Sequence, residues 1–213
     1  FPGYKNSWIT IENKSPNLTI IRSKAYASDR KTTLRKLVHY LVFMISAIIN
    51  SRKVNNYDLL VISSPPLFTG VIGILLRKFA RTNYWLDIRD LWPDSALQLN
   101  QIKNGLIYKF GKKLETKIYE SAKGFIYPVP SFKGYLSSFS KKINKKPMFE
   151  LMNGVSQEFL DLSKSTNVKT DKEFTVLYSG NMGLAQDLTT IIETAHILKD
   201  YNIIFRFIGQ GVC

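Results

Sequence analysis

Short β-rich runs alternating with helical patterns dominate this chain and restrict it to the α/β class. "DLLVISSPP" (58–66) is a β-rich run stopped by two prolines, and "TGVIGILLRKFAR" (69–81) is helical with a basic last turn. "TNYWLDI" (82–88) reads as the next strand, "NGLIYKFGKKLETKIYESA" (104–122) as an amphipathic helix with a lysine-rich outer face, and "KGFIYPV" (123–129) as a strand again. After "MFELMNGV" (148–155) the pattern restarts with the strand "FTVLYSG" (174–180) and the turn "NMGLAQ" (181–186). The helix "DLTTIIETAHILKD" (187–200) then carries Leu188, Ile191, Ile192, Ala195 and Leu198 at helical spacing, and the strand "NIIFRFIGQG" (202–211) follows. Strands joined through helices pair in parallel, so the expectation is a parallel sheet with helices on both faces.

The restart divides the chain. Residues 1–160 are expected to form one Rossmann-like domain, 161–173, which includes the polar "SKSTNVKTDKE" (163–173), a linker, and 174–213 the start of a second domain. The chain opens on "FPGYKNSW" without methionine and stops at "FRFIGQGVC" as a strand meets a glycine turn, which reads as an internal piece of a longer protein with both domains incomplete.

With 213 residues, 45% of them hydrophobic, the chain can bury a sizeable core, which excludes disorder. Its one cysteine, Cys213, excludes a disulfide framework and points to a reducing, cytoplasmic compartment. The longest apolar stretch, "LVHYLVFMISAII" (37–49), falls short of the roughly 20 residues a bilayer span needs, so it is expected to be a buried or interfacial helix. The net charge of +14 is uneven: eleven lysines lie from Lys103 to Lys146 against only Glu115 and Glu120, and such a surface attracts polyanions or anionic lipid.

Chemistry concentrates in "LDIRDLWPDS" (86–95), where Asp87, Arg89, Asp90 and Asp94 crowd the mouth of a strand. One reading is a local salt bridge and a helix start, with Asp90 or Asp94 capping and Pro93 near the first turn. The other is a pair of fixed charges, Arg89 facing phosphate and Asp90 orienting a hydroxyl; Trp92 is expected to pack under the loop. Gly180 and Gly183, then Gly209 and Gly211, follow the two last strands and serve either tight βα turns or a phosphate site. The "SSPP" turn ends a strand on the ligand side, or is only a rigid stop. His39 and His196 have no partners at metal-ligand spacing and are read as structural.

Taken in order, "PGY", "YDLLVISSPPLFTG", "LDIRDLWPDSA", "ELMNGV", "FTVLYSGNMGLAQDL" and "FIGQG" resemble the family-4 retaining glycosyltransferases of the bacterial capsule and O-antigen type, over nearly the whole chain. "RDLWP" and "YSGNMGLAQ" are the more specific pieces. The resemblance implies a GT-B fold, with acceptor on the first Rossmann-like domain and nucleotide sugar, such as a UDP-sugar, mainly on the second. It implies transfer with retention to a polyprenyl-diphosphate-linked acceptor, and a peripheral position on the anionic inner face of the plasma membrane. No cofactor or metal is expected. Arg89 and Asp90 match the family's catalytic-loop positions; Gly180, Asn181, Gly183, Gly209 and Gly211 match the nucleotide-sugar side. Arg35 and Lys36, beside Arg30 and Lys31, and Lys141 and Lys142, near Lys145 and Lys146, are the expected acceptor and membrane side. The donor-holding E-x7-E carboxylates would lie after Cys213. Glu150 and Glu158 share that spacing but flank "NGV" on the wrong side of the nucleotide unit, and Ser156 stands where the family usually has aspartate.

Two rival classes explain less. A nucleic-acid-binding module would account for the lysines, but the interleaved arginines and stacking aromatics of such modules are absent. A nicotinamide-dependent oxidoreductase would account for the Rossmann pattern, but neither glycine turn has G-x-G-x-x-G with an acidic residue about 20 positions later.

Overall fold

The computed structural model describes residues 7–26, 33–51, 57–165 and 174–211; Arg30, Lys31, Cys213 and most of the expected linker lie outside them. The chain divides into two compact units, Phe1–Asn153 and Gly154–Cys213.

The first unit opens with an element the sequence reading did not anticipate, an antiparallel hairpin of β1 (Ile9–Ser15) and β2 (Leu18–Ser23). Its half-buried Glu12 accepts from Arg22 at 2.7 Å and pairs with Lys14 at 3.0 Å; these cations hold its carboxyl down at about 2. The apolar helix α1 (Thr33–Ser51) is fastened to this hairpin by its buried polar residues: Ser46 Oγ donates to the Lys24 carbonyl at 2.6 Å, and Asn50 Nδ2 to the Trp8 carbonyl at 2.9 Å. Unpaired, these groups would each cost about 1–3 kcal/mol to bury, so they fix which side of α1 faces inward. Its Tyr40 stacks on Phe68 of α2 (Leu67–Ala80). His39 Nδ1, 2.6 Å from the Tyr26 carbonyl, can only donate there, so the ring serves packing.

The main sheet is parallel, in the order β3 (Leu60–Ser64), β4 (Tyr84–Ile88), β5 (Gly124–Tyr127), β6 (Met148–Glu150). Ile62, Tyr84, Leu86, Ile88, Phe125 and Tyr127 line one face and form the core with Leu67, Ile118, Tyr119, Leu136 and Ile143 from the helices. Between strands run α2, α3 (Asp94–Gln98), α4 (Leu106–Ser121), α5 (Ser131–Phe139) and the single turn α6 (Lys141–Asn144). Helix α2 lies so close that a Cβ on Gly73 would stand 2.7 Å from the Tyr84 ring. The expected cover of helices on both faces is not what the described residues show. Side chains alternate along a strand, and on the second face Val61 remains 44% and Phe149 59% exposed, with Trp85 lying over Gly124.

The carboxyl end of α4 is clamped. Lys146 Nζ donates to the carbonyls of Tyr119, Glu120 and Ala122, which the helix leaves without intrahelical partners, and Arg77 donates to the Ser121 carbonyl. Partial burial, helped by Lys142 and Arg77 nearby, pushes the Lys146 ammonium down to about 8. Lys146 is thus spent on the fold, whereas Lys141, Lys142 and Lys145 are exposed.

The second unit holds α7 (Gln157–Ser165), then β7 (Phe174–Met182) paired in parallel with β8 (Ile203–Gly211), with α8 (Leu188–Ile197) between them. Helix α7 occupies the front of the segment expected as linker. Of the apolar face expected on α8, Leu188, Ile191, Ala195 and Leu198 are at least partly buried, but Ile192 is 59% exposed. Ser156 Oγ accepts from the Phe159 N–H at 3.3 Å and caps α7. Serine and aspartate are both good helix caps, so at this position the exchange keeps the local function.

Candidate functional site

The loop that leaves β4 stands at the carboxyl edge of a parallel sheet, where open α/β folds bind ligands. The Arg89 N–H donates to the Ser64 carbonyl at 2.8 Å, carrying the strand pairing one residue further and fixing where the side chain starts. Asp87, 6% exposed on the strand before it, accepts at one oxygen, Oδ2, from both Ser63 Oγ and Arg89 Nε, each at 2.8 Å. Its other oxygen, Oδ1, is buried with no partner. Arg89 Nη1 also donates to Asn153 Oδ1 at 2.5 Å, so "RDLWP" and "NGV", 64 residues apart, meet through one guanidinium. That guanidinium is 44% exposed and makes no hydrogen bond through Nη2 among the described residues. Held at two nitrogens, its planar fork keeps donors in a fixed direction for an oxyanion.

The other charges of the loop are turned to its own architecture. Asp90 Oδ1 accepts from the Leu91 N–H at 2.7 Å, and Oδ2 from Ser95 Oγ at 3.1 Å. Asp94 accepts from Tyr108 (2.8 Å), Tyr135 (2.8 Å) and Lys112 (3.2 Å), and Lys112 also pairs at 2.6 Å with Glu115, which is fully buried. Partial burial would raise the Asp94 carboxyl, but these three donors outweigh it and hold it below the ordinary value. Burial likewise works against the Lys112 ammonium, and Glu115 and Asp94 override it and raise its pKa; for Glu115 burial itself prevails, and its carboxyl is pushed up. Trp92 packs against α4 at Gly111, as expected of a residue under the loop. Of the two residues the sequence singled out, Arg89 is aimed by Asp87 and Asn153, while Asp90 is exposed and accepts only within its own loop; the expected cap of α3 by Asp90 or Asp94 is not formed, since Pro93 holds the N-cap position without a side-chain bond. Sequence reasoning missed Asn153 and Ser63 as partners of this group. Asn153 was legible as the asparagine of "NGV", but its partner was not.

In the second unit Gly180, Gly209 and Gly211 lie in the strand ladder and not beyond it, whereas Gly183 sits in the turn after β7. Gly180 faces Gly209, and Met182 faces Gly211. A Cβ on Gly209 would stand 1.9 Å from the Gly180 carbonyl oxygen, so no side chain fits between these backbones. Gly209→Ala is accordingly expected to destabilise this unit by about 1–3 kcal/mol, read as faster amide exchange along β7 and β8; unchanged exchange would show that the ladder absorbs a methyl. In the turn, Gly183 N–H donates to Gln186 Oε1 at 3.1 Å, Tyr178 OH donates to the Asn181 carbonyl at 2.5 Å, and the Asp187 carboxylate, accepting from Thr190 at 2.9 Å, sits at the start of α8.

No family model matches the chain. Among curated proteins it is 26% identical, over an alignment of 234 residues, to the putative colanic acid biosynthesis glycosyl transferase WcaI of Escherichia coli (strain K12). The likeness is to a glycosyltransferase. It covers 99% of this chain and 56% of that relative, so the chain spans little more than half of the protein it matches. The mixed fold, with its four-stranded parallel sheet, is consistent with a Rossmann-like piece of a GT-B enzyme.

Of the expected membrane-side residues, Arg35 is exposed on α1, and the Lys36 side chain lies outside the described residues. Glu150 and Glu158 are both exposed and belong to different units. Among the described residues no helix is long and apolar enough to cross a membrane, and no group of three His, Cys, Asp or Glu side chains could hold a metal ion.

Proposed function

We propose that the protein transfers a sugar from a nucleotide donor, a UDP-sugar, to a lipid-linked oligosaccharide acceptor in surface polysaccharide synthesis, with retention at the anomeric carbon and without a metal. The observation that carries this reading is the aimed Arg89 fork at the carboxyl edge of the sheet, in a chain similar along its length to a glycosyltransferase.

Breaking the bond to a nucleoside diphosphate develops positive charge at the anomeric carbon and negative charge on the departing diphosphate, so fixed donors aimed at the leaving group lower the barrier. Arg89 supplies such donors without having to reorganise. Asp90 keeps unused lone pairs and faces outward, which suits a hydroxyl of the sugar or acceptor. Gly180, Asn181, Gly183, Gly209 and Gly211 offer the nucleotide sugar an edge of backbone with few side chains in the way. Arg35 and Lys36 on α1, with Lys141 and Lys142 on α6, supply cations for a polyprenyl-diphosphate-linked acceptor and the anionic inner leaflet that holds it.

The test incubates the full-length protein with radiolabelled UDP-sugars and polyprenyl-diphosphate-linked acceptors. Label appearing in the lipid fraction is the expected result; its absence from every donor and acceptor pair rejects the reading. Asp90→Asn keeps an oxygen that can accept from Leu91 or Ser95, so folding should be little changed, while kcat is expected to fall by about 30- to 1,000-fold if the carboxylate acts on the transition state. Full activity would leave Asp90 with its loop contacts alone.

A further inference from the structure

We propose that the amino-terminal tip of α4 docks the protein on an anionic lipid bilayer. This rests on the membrane-surface part of the reading above and not on sugar transfer. Leu106, Ile107 and Phe110 occupy the first turn of α4 and are 86%, 67% and 67% exposed. Spaced i, i+1 and i+4, they share one side of the helix. The opposite side carries Gly111, Glu115, Ile118 and Tyr119, all buried, so the helix cannot roll to hide its apolar tip. Three large apolar side chains together in water mark a contact surface rather than scattered surface residues.

Charge selects the partner. Lys103, Lys109 and Lys113 surround the tip and are exposed. The nearby carboxylates Asp94 and Glu115 are turned inward onto Lys112, and the first turn of α4 has no acidic residue, so its positive dipole end is uncompensated. A second copy meeting this face across a two-fold axis would bring lysine against lysine, whereas anionic headgroups meet apolar tip and cations together. Three side chains on one turn reach only the boundary of headgroup and acyl chain, with the lysine ammoniums staying at the phosphates. The contact expected from sequence on α1 is thereby moved: that helix spends Ser46 and Asn50 on the hairpin, and its outward apolar residues Val38, Ile45 and Ile49 are 36–51% exposed, less than the α4 tip.

The experiment is co-sedimentation of the full-length protein with phosphatidylcholine vesicles, with and without phosphatidylglycerol, at low and high salt. Binding should require the anionic lipid and fall with salt. Ile107→Ser with Phe110→Ser should weaken it about tenfold or more, because two large side chains no longer leave water. Replacing Lys103, Lys109 and Lys113 with glutamine should remove most of the preference for phosphatidylglycerol. Circular dichroism and melting should not change, since these side chains are exposed. Equal binding to neutral vesicles, or undiminished binding by the serine variant, would overturn the proposal. So would a concentration-dependent dimer that the serine variant abolishes, which would assign the face to a second copy. Transfer by the serine variant to a water-soluble acceptor analogue separates the two ideas: retained transfer with lost vesicle binding upholds both, and retained transfer with unchanged vesicle binding removes the docking alone.

Discussion

Replacing Lys112 by methionine should cost the fold about 3–5 kcal/mol, the largest stability loss expected from a single side chain in the first unit. Glu115 is wholly buried, and among the described residues Lys112 at 2.6 Å is the cation paired with it. Removing the lysine leaves a carboxylate in the interior with the Tyr119 hydroxyl and the Tyr135 hydroxyl at 2.9 Å, whose one proton is shared with Asp94, and takes a donor from Asp94 as well. The variant should respond to pH in a defined direction. Burial raises the Glu115 carboxyl above its ordinary 4.5, and without Lys112 it rises further. Above that ordinary value the folded state then holds a proton the unfolded state has released, so stability falls as pH climbs and recovers as pH is lowered from 7 towards 5. Urea unfolding at the two pH values measures both effects. Lys112→Met combined with Glu115→Leu should recover most of the loss, because a buried pair replaced by apolar side chains of similar volume is often neutral. A loss below about 1 kcal/mol for the single variant would show that Glu115 reaches water.

Arg89→Met is expected to lower kcat for sugar transfer by about 30- to 1,000-fold, with a smaller effect on the donor KM, if the guanidinium meets the diphosphate mainly as it departs. Arg89→Lys should restore little of it. An ammonium is a point charge on a flexible stem and cannot hold Asp87 and Asn153 with one plane while offering a third edge outward. A loss confined to KM would mean ground-state binding, and full activity would return Arg89 to the role of a strap between Asp87 and Asn153. Unfolding must be followed alongside, since among the described residues Asp87 is left with Ser63 as its hydrogen-bond partner.

Much of the fold was legible because burial imposes periodicity. β3, β4 and β5, α2 and α4, and the pair β7 and β8 with α8 all fall within a few residues of where the apolar pattern puts them. The hairpin lies outside that βα pattern: "ITIENK" and "LTIIRS" flank a Pro-Asn turn, and their pairing is antiparallel. What could not be read was direction. Sequence counts Lys112 and Lys146 among eleven lysines, yet one is turned into a buried cluster and the other into the end of a helix. Asp94 finds its donors 14, 18 and 41 residues away, and no local pattern encodes such partners. The glycines of β7 and β8 read in sequence as residues of βα turns or of a phosphate site, whereas the backbone they admit in this structure is that of the neighbouring strand.

The clamp on α4 has a mechanical consequence. The helix is a cantilever, built in at Tyr119 to Ala122 by Lys146 and Arg77 and tied to β4 where Tyr84 OH donates to the Ile118 carbonyl at 3.0 Å. Along the beam, Lys112 and Tyr108 brace it against Asp94, the first residue of α3 just beyond the loop that begins with Arg89. A load on the free end at Leu106 is therefore carried along a stiff member to the sheet edge and the Arg89 loop, and is not dissipated in a flexible tip.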